Sequence, residues 1–207
     1  MGVGAAVLFR LLPVSHPGRA WIFNDATHAW MLLIALFWLL ILRRKFPVGR
    51  LSFDGMRGWY RIWLVWAALV ALMVFSQPRH AHPVLSVANL AGTLTFQGIL
   101  VGPSEEFLCR GLIQTALNNF SRLGCTKIPI AQARVRLGTV GAALIFGLLH
   151  LTGLLQHPLS FVLPTAVFAF VFGLVAGQYY DHTGNLWGAS ILHDISDFVA
   201  VGLPLLF

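Results

Sequence analysis

Charge is what this sequence has least of. Asp, Glu, Lys and Arg make up 10% of the 207 residues, where a soluble domain carries roughly 25%. Together with a mean hydropathy of +0.78, that shortage excludes a water-soluble globule and points to a polytopic membrane protein of one-domain length. Glutamate is as scarce as lysine, with Glu105 and Glu106 the only two in the chain. Cysteine is nearly missing too: Cys109 and Cys125 are too few and too close for a disulfide scaffold, so free thiols are expected. Residues 1–19 lack the basic start and cleavage site of a signal peptide, so the mature chain is expected to begin at its own N-terminus. Ala6 stands where a myristoylation signal after Gly2 needs Ser or Thr, so no lipid anchor is implied. Repeats and low-complexity tracts are absent, and no soluble domain fits between the apolar runs. Any chemistry has to occur within a helix bundle.

The net charge of +7 invites a nucleic-acid reading, but its distribution argues against one. Arg43, Arg44, Lys45, Arg50, Arg57 and Arg61 fall in or beside one loop, and Arg122, Lys127, Arg134 and Arg136 in another. Basic loops flanking apolar spans are what membrane orientation alone requires. Residues 1–14 are apolar but short and fit an interfacial segment. Spans are expected near 26–42, 59–75, 84–120, 137–155, 161–179 and 186–206, most of them near the ~20 residues a bilayer core demands. The third is long enough for two short helices, with Gly102-Pro103 as a break or kink. A single crossing keeps ten Lys and Arg on one side against Arg10, Arg19 and Arg79 opposite, so the positive-inside rule favours one kinked helix. The expected fold is an all-α bundle of about six spans, divided into an N-terminal region (1–83) and a helix bundle (84–207). Gly173 and Gly177, one turn apart, suit close helix packing.

Ionisable groups inside a bilayer are costly and need a partner or a task. They fall at three places. Glu106 and Arg110 are four apart with the acid N-terminal, the favourable order for a helical ion pair. Glu105 is rotated by about 100° from Glu106, so one carboxylate can be structural and the other available. Phe146 and His150 share a face of the fourth span, and His193 and Asp197 a face of the last, with Asp194 pointing about 100° away. Three helices burying such groups are best satisfied around a shared water-filled pocket, which supports general acid-base chemistry.

In this order, Glu105-Glu-Phe-Leu-Cys-Arg110, Phe146-Gly-Leu-Leu-His150 and His193-Asp-Ile-Ser-Asp197 match EExxxR, FxxxH and HxxxN/D motifs. Together they resemble the signature of the CAAX protease and bacteriocin-processing family, glutamate-dependent intramembrane endopeptidases that include the Ras-converting CAAX enzymes. The resemblance covers about residue 84 to the C-terminus, and the first two spans carry none of it. It implies a membrane-embedded peptidase in which Glu105 is the general base and His150 holds and polarises the attacking water. His193 would donate to the oxyanion, Glu106 would be locked by Arg110, and Phe146 would support the site. The family accepts Asn or Asp at the last motif position. An ionised Asp197 cannot donate to an oxyanion, so it is expected to orient His193 and favour its protonated form, unless it is itself protonated.

No cofactor is expected. The competing chemistry is a divalent metal on Glu105, His150 and His193, since two His and a carboxylate serve in zinc sites, although the short HExxH motif is absent. Cys109 suits apolar packing better than a nucleophile's role, and Ser104 suits a cap or backbone hydrogen bond. His16, His28, His80, His82, His157 and His182 receive no role. Two non-enzymatic readings stand beside the protease: an immunity or scaffold factor that retains the motifs, and an ion-coupled transporter. Against the latter, only one broken helix is visible where transporters show paired ones. The expected partners are the lipid bilayer and a membrane-anchored protein or peptide substrate, cleaved near its membrane-proximal C-terminus, with no nucleic acid. The expected location is a bacterial inner membrane, with loops 43–58 and 121–136 cytoplasmic.

Overall fold

The computed structural model describes residues 20–42, 59–75, 87–120, 122–130, 133–155 and 158–202. The interfacial segment 1–14, the basic loop 43–58, His16, His80, His82 and His157, and the end of the last span beyond 202 lie outside these.

Among the described residues, six helical rods carry the fold. Helix α1 (Ala20–Ile41) runs through Asn24 and Asp25, so it starts before the expected position 26. Helix α2 (Tyr60–Phe75) follows the expected limits closely. Helix α3 spans 87–120 without interruption. Pro103 offers no N–H, and the rod accommodates it by widening on either side. The turn Phe96–Leu100 is π-helical, Val101–Glu106 is α-helical, and Phe107–Gln114 is π-helical again. The Gly102 N–H donates to Asp194 Oδ1 on the last helix (2.8 Å). Gly102 is required there, because a Cβ would lie 2.4 Å from the Ser190 carbonyl oxygen.

Helix α4 (Leu137–His150) passes into a 3-10 turn, Leu151–Leu155. Helix α5 (Leu159–Thr183) ends at Gly184, whose φ of 64° lies in the left-handed region that glycine adopts freely. Helix α6 (Leu186–Asp197) starts at Asn185, whose side chain accepts from Gly188 N, and continues into a π turn, Phe198–Gly202. The stretches Leu137–Leu155 and Leu159–Thr183 are each long and apolar enough to cross a bilayer, with mean hydropathies of 1.8 and 2.3. Leu148, Phe161, Leu163 and Val167 on them remain exposed, as lipid-facing side chains do.

The loop expected at 121–136 is partly structured. Strands β1 (Lys127–Ile130) and β2 (Ala133–Arg136) form an antiparallel hairpin in which Lys127 faces Arg136 and Pro129 faces Arg134. The alternation explains it: Ile128, Ile130 and Val135 fall on one face and the three cations on the other.

Helices α4 and α5 pack closely, and Gly173 lies on the contact, where a Cβ would come within 3.1 Å of Ala143. Near the hairpin end, Asp181 on α5 draws three rods together. Its Oδ1 accepts from Asn118 Nδ2 (2.9 Å) and Gln114 Nε2 (3.1 Å) of α3, and its Oδ2 accepts from Thr139 Oγ1 of α4. Gln114 Nε2 also donates to the Gly177 carbonyl (2.8 Å). Every neighbour is a donor, so only an acceptor fits. Asp181→Ala strands several donors and is expected to destabilise the bundle by about 1–3 kcal/mol. Asp181→Asn, which turns one acceptor into a donor, should do little better; thermal unfolding followed by tryptophan fluorescence in detergent measures both.

Candidate active site

Glu105 and Glu106 sit side by side on the α-helical turn of α3 between its two π segments. The rotation between successive residues sends them to different neighbours. Glu106 is fully buried: its Oε2 lies 3.0 Å from Arg110 Nε, and its Oε1 lies 2.9 Å from His193 Nδ1 on α6. A carboxylate can only accept, so His193 Nδ1 carries a proton and its Nε2 is the nitrogen that faces the site. Burial removes these charges from water, a cost that holds only where the pairing is good.

Phe146 on α4 lies among these charges. The Arg110 guanidinium lies over its ring at 4.7 Å, and both His150 (4.9 Å) and His193 (5.8 Å) meet it edge to face. Arg110 Nη1 and Nη2 are buried with no hydrogen-bond partner among the described residues, and ring faces replace the missing acceptors in part. Phe172 on α5 adds a second ring, 5.8 Å from Arg110 and 4.7 Å from His193. His150 Nδ1 donates to its own helix at the Phe146 carbonyl (2.9 Å), which leaves Nε2 as the ring nitrogen not engaged in that bond.

Glu105 has a different environment. Its Oε1 accepts from His28 Nε2 of α1 (3.2 Å), while its Oε2 is buried without a hydrogen-bond partner among the described residues. Oε2 lies 3.7 Å from His193 Nε2, and Asp197 Oδ2 lies at the same distance from that nitrogen. A carboxylate oxygen and an imidazole nitrogen therefore face each other just beyond hydrogen-bonding range.

The structure thus brings Glu105, Glu106, Arg110, Phe146, His193 and Asp197 together, and His150 joins them through Phe146. His193 donates its Nδ1–H to Glu106, and Asp197 stands 3.7 Å from the other nitrogen, so the ring is flanked by a carboxylate on each side. Cys109 is buried in the apolar cluster with Trp66 and Phe172, and Ser104 Oγ donates to the Val101 carbonyl. His182 pairs with Gln178 one turn earlier on α5. Among the described residues, no three His, Cys, Asp or Glu side chains are grouped to hold a metal.

Three residues escaped the sequence reading. His28 had a usable signal, an ionisable group inside an apolar span, but its nearness to a span end hid it. Asp194 had none that reached across to Gly102, and Phe172 was one aromatic in a phenylalanine-rich helix.

A family model described as type II CAAX prenyl endopeptidase Rce1-like matches residues 87–199, from the start of α3 into the π turn that ends α6. No curated protein and no solved structure matches the chain. The matched stretch covers more than half of the sequence and holds every motif residue of the site, so the chain belongs to the Rce1-like family of CAAX prenyl endopeptidases, membrane proteases acting on membrane-associated proteins.

Proposed function

We propose that the chain is a glutamate-type intramembrane endopeptidase in which Glu105 activates water. One observation carries this reading: of two adjacent buried carboxylates, Glu106 is held at close range by Arg110 (3.0 Å) and His193 (2.9 Å), while Glu105 Oε2 has no hydrogen-bond partner among the described residues and its contact with His193 Nε2 is longer, at 3.7 Å. A water beside Glu105 donates one proton to Glu105 Oε2 and the other to His150 Nε2. As its oxygen bonds to the scissile carbonyl carbon, Glu105 takes the first proton. The carbonyl oxygen becomes an oxyanion and accepts from His193 Nε2–H, the preorganised stabilisation that often supplies the largest catalytic term. The C–N bond then breaks, and Glu105 returns its proton to the leaving amine.

The oxyanion role needs a proton on His193 Nε2 as well as on Nδ1, and three carboxylates surround the ring. Glu106 bonds Nδ1, and Asp197 and Glu105 both stand beside Nε2. Asp197 thus acts through charge on His193 and has no need to donate. Phe146 and Phe172 hold the ring and keep bulk water from Arg110. The reaction uses no metal. The substrate is a membrane-anchored protein cut near its membrane-proximal C-terminus, as a lipidated CAAX-type end or a sorting tail, in a bacterial inner membrane with loops 43–58 and 121–136 cytoplasmic.

The test uses the full chain in liposomes with two probes, a farnesylated peptide ending in a CAAX sequence and a single-span peptide with a C-terminal tail. Mass spectrometry reads the released fragment. Glu105→Gln should lower kcat by on the order of 10²–10⁴-fold with the protein still folded; retained cleavage would sink the glutamate mechanism. His193→Ala should cost on the order of 10²–10³-fold, the scale of a lost oxyanion donor. Glu106→Gln should differ from Glu105→Gln in also lowering the unfolding temperature, because it strips a buried Arg110 of its counter-charge. Activity should survive a chelator; loss that added metal restores would move Glu105, His150 and His193 to the role of ligands.

A further inference from the structure

We infer that His28, on a helix outside the stretch that the family model matches, is a positioning residue that holds Glu105 ready to act on water. The inference rests on the reading of Glu105 as the base. Its grounds are geometric. His28 Nε2 lies 3.2 Å from Glu105 Oε1, and its ring meets Phe96 of α3 edge to face at 4.9 Å. Helix α1 packs along the α3 segments on both sides of Glu105. The contact is therefore seated at both ends, with the imidazole fixed by an aromatic ring and the carboxylate fixed by the imidazole.

The competition at Glu105 gives this contact its purpose. A glutamate side chain has three rotatable bonds, and Glu105 Oε2 stands only 3.7 Å from His193 Nε2. Left to itself, the carboxylate gains most by closing that gap and forming a direct ion pair with a protonated His193. Such a pair would bury the basic oxygen and the oxyanion donor in each other, and water and the scissile carbonyl would both be displaced. His28 holds Oε1 from the opposite side. A donor there gives the carboxylate a partner that is not part of the reaction, keeps Oε2 apart from His193 by the width of the gap, and makes Oε2 rather than Oε1 the basic atom. Residues 87–199 contain every motif of the family yet do not supply this hold, which comes from α1.

The experiment compares three variants of the full chain in the liposome assay. His28→Phe keeps a ring against Phe96 and removes the donor; His28→Gln restores a neutral donor at similar reach. His28→Phe should lower kcat by roughly 10- to 100-fold, the scale of a catalytic group displaced by about 1 Å, with KM within about threefold and the unfolding temperature unchanged. His28→Gln should recover most of that loss. With Glu105→Gln already present, His28→Phe should cost nothing further, since the group it positions is gone. Wild-type kcat in His28→Phe, or His28→Gln as slow as His28→Phe, overturns the inference. A substrate-free measurement stands beside these: in protein labelled with 15N-histidine, Glu105→Gln should move the His28 Nε2 resonance, and an unmoved resonance also overturns it. The two readings fail separately. Full activity in Glu105→Gln defeats the protease mechanism itself, whereas an inactive Glu105→Gln beside a fully active His28→Phe defeats only the role of His28.

Discussion

The buried carboxylate of Glu106 is the charge around which the site is built. It binds a guanidinium on its own helix and an imidazole on α6, and so fixes the relation of α3 to α6 at the depth where chemistry would occur. A charge in that setting is tolerable only with close partners, and each partner brings others. Arg110 brings the rings of Phe146 and Phe172, and through them α4 and α5. His193 turns its second nitrogen toward Glu105 and Asp197. Polar groups that are liabilities one by one become a framework because each stands within reach of the next.

A second polar framework lies at the other end of α3 and works by different means. Around Asp181 one carboxylate takes neutral donors from α3 and α4, with no cation among the described residues taking part. The two foci suit different tasks. An acceptor surrounded by amides and a hydroxyl is saturated and has no capacity left for a reaction. The Glu105 region keeps an oxygen in reserve, and that is the difference between a clamp and a site. Asp194 belongs between them in function: by taking the Gly102 N–H it lets α3 pass Pro103 without ending, so that the carboxylates beyond it stay on one rod with the aromatic turn before it.

Much of this was legible in the sequence because it is local. A pair four residues apart on a helix must share a face, so Glu106 with Arg110, Phe146 with His150 and His193 with Asp197 could be read from spacing, as could the all-helical bundle from its apolar runs. What spacing cannot supply is which helix stands beside which. The carboxylate that His193 Nδ1 bonds is 87 residues away in Glu106, and His28 is 77 residues from the carboxylate it meets. Those contacts depend on packing, which no single-helix period encodes. The π turns of α3 were hidden for a related reason: Gly102-Pro103 marks where the ladder is disturbed, whereas the neighbouring helices decide whether the chain breaks there or widens. In the 121–136 segment the alternation of Ile128 and Ile130 with Lys127 was present, but its basic residues were read as an orientation signal and the strand period beneath them was passed over.

That hairpin has a mechanical consequence. Lys127 opposite Arg136, with Arg134 two residues along the same face, sets three cations on one side of a stiff two-stranded tab. A flexible loop could withdraw its charges from hydrocarbon one at a time by bending each side chain outward. A paired tab ties the backbones of all three together, so their positions are set as one unit rather than one by one.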